Sequence, residues 1–259
     1  MQKIMLKLAL VICLMGQLFL STKFGTSING FQFLILDFSD QFSTSIDMTY
    51  CFFVTLATIT LVFYSQIKFA AFFIFGWFLT LALTKTILHG SFGWEVAIFA
   101  YAARYCLPLC LYYFSIEKRE LALKIAIFGV SSTFIAHGIE AMMLNPLFLD
   151  YMYDFSEVYL NLVPTQKYVE TSLFFIGMVD ILVGAALIFS RNKNLVLYIA
   201  AWGLITALSR ITYHGYAQWY EFFLRIPHFA LPMFIYFNRG IKFQPLQIFK
   251  NKDQVQCQS

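Results

Sequence analysis

Long apolar stretches alternate with short polar breaks along almost the whole chain. A helix that crosses a bilayer needs about 20 mostly apolar residues. Such runs occur near 5–21, 49–66, 69–88, 96–114, 124–142, 171–189, 195–213 and 222–237. Each is expected to be helical, because backbone N–H and C=O groups cannot go unpaired in hydrocarbon. None shows an obvious break in its pattern. Two intervening segments, 22–48 and 143–168, are too long for tight turns and too apolar for free loops. Runs such as Phe31-Gln32-Phe33-Leu34-Ile35-Leu36 and Pro146-Leu147-Phe148-Leu149 predict short amphipathic pieces in the membrane–water interface.

The chain also resembles itself. Slid by 125 residues, Trp77 meets Trp202, Ala82-Leu83-Thr84-Lys85 meets Ala207-Leu208-Ser209-Arg210, and His89-Gly90 meets His214-Gly215. After a slip of one residue, Leu107-Pro108 meets Leu231-Pro232. Upstream, Lys7 and its apolar run pair with Lys124 and its own, so the first span answers to the fifth. Residues 1–20 carry Lys3 and Lys7 ahead of an apolar run, as a signal peptide would. They end at Phe19-Leu20-Ser21-Thr22-Lys23 without a small-x-small cleavage pattern, and the repeat predicts that they are retained. The fold expected is an all-α integral membrane protein with eight transmembrane helices as two tandem four-helix repeats. The repeats cover 1–116 and 117–238, and a basic cytoplasmic tail follows at 239–259. An even number of spans per repeat gives the halves the same orientation, related by an axis along the membrane normal.

Composition agrees with the pattern. Hydrophobic residues make up 60% of the 259 positions and charged residues 12%, against about 25% charged in a soluble domain. The net charge of +4 is not a nucleic-acid footprint, because the charges sit in short loops between apolar runs. They read instead as a topology signal. With the N-terminus inside, twelve Lys and Arg residues fall on the cytoplasmic side and only Lys23 and Lys167 on the other. The outer segments carry acids, among them Asp37, Asp40, Asp47, Asp150 and Asp154. Both termini are therefore expected in the cytoplasm. The five cysteines form no C-x-x-C pair and read as small buried hydrophobes, which argues against thiol–disulfide chemistry.

In the second half, the first helix ends in His137-Gly138-Ile139-Glu140, and a proline-containing segment follows at Asn145-Pro146. The next helix carries Gly177-Met178-Val179-Asp180-Ile181-Leu182-Val183-Gly184, a Gly-x-x-acid-x-x-x-Gly pattern. Residues 120–238 resemble in these features the DoxX-like family of small four-helix bacterial membrane proteins. The resemblance implies a four-helix bundle in the bacterial inner membrane. From some family members it also implies an association with quinone-linked thiosulfate oxidation and with other membrane subunits of a redox complex. The first half departs from the pattern. Its first span lacks the His-Gly ending, and Phe52, Thr55 and Ile59 stand where Gly177, Asp180 and Gly184 would fall.

Ionisable residues inside a membrane are costly and mark candidate sites. They are Lys85, Arg104, Glu140, Asp180, Arg210 and Arg225, with Glu95 and Glu221 at the outer boundary and the four histidines His89, His137, His214 and His228. Lys85 and His89 are spaced i, i+4, as are Arg210 and His214, so each pair shares a helix face. Glu221, Arg225 and His228 form a stripe on the last span. A purely structural role would pair four cations with four acids, since an unpaired buried charge is far costlier than a paired one. The functional reading makes these groups an outer-side ligand-binding cluster, with a quinone or another amphipathic molecule placing its head among them and its tail between aromatic helices. A small-solute or ion transporter built on parallel repeats is the alternative. Haem held by His89 and His214 is less favoured, because Lys85 and Arg210 sit one turn away. No nucleophile elbow, zinc spacing or P-loop is present, so the chain is expected to be non-catalytic.

Overall fold

The computed structural model describes residues 1–88, 96–214 and 219–241, the side chains of 212–214 excepted. All regular structure in them is helical. The first set of helices is α1 (Gln2–Phe24), α2 (Ser27–Leu34), α3 (Asp40–Phe63), α4 (Lys68–Leu88), α5 (Ala97–Ala100) and α6 (Ala102–Ser115). The second is α7 (Arg119–Met142), α8 (Pro146–Leu160), α9 (Gln166–Phe189), α10 (Lys193–His214), α11 (Trp219–Leu224) and α12 (Pro227–Asn238).

Local chemistry sets several of these boundaries. Gly25 at φ 76 ends α1, and the Thr26 side chain then caps α2 by accepting from the N–H groups of Ile28 and Asn29. Asn145 caps α8 by accepting from Leu147 N–H, with Pro146 in the first turn, and Asn161 in the left-handed region closes it. The helices α2 and α8 are the short pieces expected within 22–48 and 143–168. Asp47, which the charge pattern assigns to an outer loop, instead lies within α3 and is fully buried. Its two oxygens accept from Thr26 Oγ1 at 2.6 Å and Thr26 N at 3.1 Å, tying the start of α2 to α3.

Six helical stretches are long and apolar enough to cross a membrane: Gln2–Leu34, Asp40–Phe63, Lys68–Leu88, Arg119–Met142, Gln166–Phe189 and Lys193–Ile211. They are the mark of a multi-pass membrane protein, and the bundle's outer surface is apolar to match, with Phe69, Leu182 and Phe189 exposed. The two remaining expected spans, 96–114 and 222–237, are broken, contrary to the unbroken pattern read from sequence. Between α11 and α12, Pro227 has no N–H to donate. Arg225 N donates to Phe222 O at 3.0 Å and His228 N to Arg225 O at 2.9 Å, tightening the chain into i→i+3 turns. Between α5 and α6 the break falls at Tyr101, with φ −92 and ψ 5, and Arg104 N donates to its carbonyl at 2.9 Å.

Two corresponding pairs of helices, α3 with α9 and α1 with α7, bury the same positions. In α3 these are Ser43, Asp47, Cys51, Val54, Thr58 and Leu61; in α9 they are Val169, Leu173, Gly177, Asp180, Gly184 and Leu187. Each buried residue of α1 likewise has a buried partner in α7, Leu6 with Leu123, Cys13 with Val130 and Ser21 with Gly138 among them. The packing partners also correspond. The helix α1 packs on α3 and α7 on α9; α4 packs on α6 and α10 on α12; and each set's first helix packs on the broken helix of the other set.

This burial corrects one expectation. The positions matching Gly177, Asp180 and Gly184 are Cys51, Val54 and Thr58, whereas Phe52 and Ile59 are 60% and 49% exposed. The shift of one residue arises between helices, because Tyr64–Ile67 joins α3 to α4 while the shorter Ser190–Asn192 joins α9 to α10.

The glycines of the second half let α7 and α9 approach backbone to backbone. A Cβ on Gly138 would lie 2.6 Å from the Gly177 carbonyl oxygen, and one on Gly184 would lie 3.0 Å from the Ile135 side chain. The Gly-x-x-Asp-x-x-x-Gly run is therefore a close-packing face that carries Asp180 inward with it.

Candidate functional site

The close crossing of α7 and α9 leaves α8 to lie against α9 and α10 and roof a cavity of about 350 Å³. The α7 wall contributes Thr133, Phe134 and His137. Asp180 and Ile176 come from α9, and Trp202, Thr206, Ser209 and Arg210 from α10. The break between α11 and α12 brings in Arg225 and His228, and α8 adds Phe148, Tyr151, Met152 and Phe155. The kink matters locally. It sets Arg225 and His228, which lie on either side of Pro227, against the same cavity.

Gly203 is the small residue that admits α12 here. A Cβ at this position would collide with the His228 carbonyl, so α12 rests directly on the α10 backbone. The corresponding position in α4 is occupied by the buried Phe78. A counterpart cavity of about 460 Å³ lies between α2, α3 and α4 in the first half, and its polar lining is Gln32, Tyr50, Thr80, Thr84 and the Trp77 indole. No ionisable acid, His, Lys or Arg lines it. Among the described residues, the charged cavity lies in the second half.

Five of the expected ligand-binding residues line the charged cavity: His137, Asp180, Arg210, Arg225 and His228. The Arg225 guanidinium donates to the Glu221 carboxylate and also, at 3.2 Å, to the Glu221 carbonyl. His137 Nδ1 lies 2.9 Å from Glu140 Oε2, and its ring centroid is 5.7 Å from that of His228. The Arg210 guanidinium lies over the Tyr151 ring, 3.5 Å from its centroid, and 5.7 Å from the centroid of Phe148. Asp180 stands apart at the wall by Trp202. The Trp202 indole N–H is directed to the Asp180 carboxylate.

Three further expected residues sit just behind the wall. Glu140 is buried, bonded to His137 and within electrostatic reach of Lys85 and Arg225. Lys85 Nζ donates to Tyr101 Oη at 2.9 Å, and Arg104 stacks over the same ring at 4.1 Å. Arg104 and Arg210 both lie within electrostatic reach of Glu221. Groups from the two halves therefore meet around one centre. His89, Glu95 and the side chain of His214 lie outside the described residues, and so does the haem geometry that His89 and His214 would build.

One-to-one pairing of cations with acids is not what the helices build. Arg225 pairs with Glu221, but Arg104 and Arg210 rest on tyrosine rings, and neither has a carboxylate within ion-pair distance among the described residues. A guanidinium is flat and weakly hydrated, so an aromatic face can take it where a carboxylate is absent. The tyrosines that do this, Tyr101 and Tyr151, do not stand out by sequence pattern. Tyr151 follows Asp150 in the interfacial run, but nothing in a run of aromatics tells which ring faces inward. Four cysteines, Cys13, Cys51, Cys106 and Cys110, are free and buried. Comparison with family models, curated proteins and solved structures finds no match to this chain.

Proposed function

We propose that this chain is a membrane-embedded binding protein made of two related four-helix units, and that the second unit holds an amphipathic small molecule in its charged cavity. The duplication is supported by the identical order of the two sets of six helices, their matching buried positions and their matching packing partners. On that basis the broken helices α5/α6 and α11/α12 complete eight spans, with the ends of α1 and α12 that carry Lys3, Lys7 and Arg239 in the cytoplasm. The DoxX-like resemblance of residues 120–238 extends the proposal to the bacterial inner membrane, to a quinone as one candidate ligand and to membrane subunits of a redox complex as partners. Labelling with a membrane-impermeant thiol reagent in intact cells tests the orientation. In a background with the native cysteines replaced by alanine, Ser39→Cys and Thr165→Cys are expected to react, and Asn192→Cys only after the membrane is opened. All three positions are exposed. Protection of both Ser39→Cys and Thr165→Cys would overturn the eight-span arrangement.

One observation carries the binding function. The cavity combines a cluster of guanidinium and imidazole groups with aromatic and aliphatic walls, the mixed lining expected of a site for a molecule with a polar head and an apolar tail. Thr206 lies on its wall, so Thr206→Phe would fill it without altering a charge. Mass spectrometry of lipophilic molecules co-purifying with the protein, together with an optical spectrum, is expected to find a bound species in the wild type and at least tenfold less in Thr206→Phe. Equal occupancy in both would move the ligand elsewhere. A transporter is the second reading, favoured by the interruption of α11/α12 beside the cavity, since broken helices line many transport sites.

A further inference from the structure

Arg210 is 6% exposed and lines the cavity, yet its Nε and Nη1 donors have no hydrogen-bond partner among the described residues. His228 is 5% exposed, lines the same cavity, and its Nε2 also has none. Among the described residues, three guanidinium groups gather here, Arg104, Arg210 and Arg225, against the two carboxylates of Glu140 and Glu221. Both carboxylates are engaged, Glu221 by Arg225 and Glu140 by His137. Asp180, the remaining acid on the wall, forms no ion pair with any described cation. The tyrosine faces under Arg104 and Arg210 offset part of the charge, but Arg104 Nε and Arg210 Nε and Nη1 still have no hydrogen-bond partner among the described residues. In a low-dielectric setting an uncompensated guanidinium is costly, and a neutral carbonyl would satisfy a donor without compensating the charge. An oxyanion does both.

We infer that the ligand of this cavity is a single-chain amphiphile with an anionic oxyacid head, a carboxylate or a phosphate, bound by Arg210 with His228 beside it. The inference rests on the binding function proposed above and narrows its ligand. A cavity of about 350 Å³, near the lower end of the ~300–1,000 Å³ usual for ligand pockets, matches one alkyl chain better than two. Ser209 and Thr206 line the α10 wall beside Arg210, and Ile176, Leu173 and Phe134 form the apolar wall for the chain. Arg225, already paired with Glu221, contributes to the field more than to the contact. The described lining of the first-half cavity has no acid, His, Lys or Arg to offer such a head group.

The test uses the full-length protein in phosphatidylcholine nanodiscs, with dodecanoate, dodecyl phosphate, dodecanol and a decyl-substituted benzoquinone as probes. Binding is read as the concentration-dependent rise in melting temperature. Dodecanoate and dodecyl phosphate are expected to bind at least tenfold more tightly than dodecanol or the quinone, and their relative affinity distinguishes a carboxylate from a phosphate ligand. Arg210→Gln is expected to abolish that preference, while Arg210→Lys keeps most of it. Arg210→Lys also keeps the inference testable if the glutamine variant does not fold. Thr206→Phe should remove the response to both anions, which separates occupancy of the cavity from a general detergent effect. Neutral probes binding as tightly as the anions, with no loss in Arg210→Gln, would overturn the anionic ligand and leave the cavity as a binding site. No response to any of the four probes would overturn both.

Discussion

Glu221→Ala is expected to destabilise the protein by about 3–5 kcal/mol, because it leaves the Arg225 guanidinium unpaired in a nearly dry setting. The two side chains are only 14% and 23% exposed. Solvent can therefore screen little of the uncompensated charge. The pair is spaced i, i+4 and bridges the end of α11 to the break before α12, and Arg225 also caps the Glu221 carbonyl. Removing the carboxylate leaves Arg225 beside Arg210 and Arg104 with less negative charge to hold it. Replacing both partners at once, as Glu221→Leu with Arg225→Met, is expected to restore most of the loss, since a packed apolar pair is often as stable as a buried ionic one. Thermal unfolding of the wild type, the two single variants and the double variant in one detergent measures the cycle. Losses that simply add, with no recovery in the double variant, would show that the two side chains act independently.

The helical content of the chain was legible in its hydrophobic runs because a span must be long and almost uniformly apolar. Six of the eight expected spans coincide with helices long and apolar enough to cross a membrane. The other two were legible as apolar stretches but not as broken ones. Pro227 and Pro108 are both visible in the sequence, yet the first breaks its helix and the second lies within α6. What distinguishes them is the tertiary setting of the neighbouring turns, and no local pattern carries that. The register of α3 against α9 was likewise hidden by a one-residue difference between two short loops. Either alignment places small or apolar residues at the same rows, and only burial decides between them.

The site was legible as a set of residue types and illegible as a set of partners. The cost of an ionisable group in an apolar helix picked out Lys85, Arg104, His137, Glu140, Asp180, Arg210, Arg225 and His228 together with His89 and His214; five of these line a single cavity, Lys85, Arg104 and Glu140 sit behind its wall, and His89 and the His214 side chain lie outside the described residues. It did not indicate that Arg104 and Arg210 would rest on Tyr101 and Tyr151, because a chain with 15 tyrosines offers too many candidates. Nor did it indicate that Asp47 would be buried as the anchor of α2. Acid near a helix end reads the same whether it faces solvent or holds a neighbouring cap.

Photoaffinity labelling tests the binding cavity most directly. A single-chain fatty acid carrying a diazirine in its tail and a terminal alkyne for recovery is cross-linked to the protein in membranes, and the labelled peptides are sequenced. The label is expected on Met152 and Phe155 of α8, on Ile176 of α9 and on Ile205 of α10, the apolar lining of the cavity. Excess dodecanoate should compete it away, and Thr206→Phe should prevent it. A label confined to the open apolar groove between α3 and α4, at Phe53, Ala57 and Phe69, and unaffected by either treatment, would contradict a binding site in the second half.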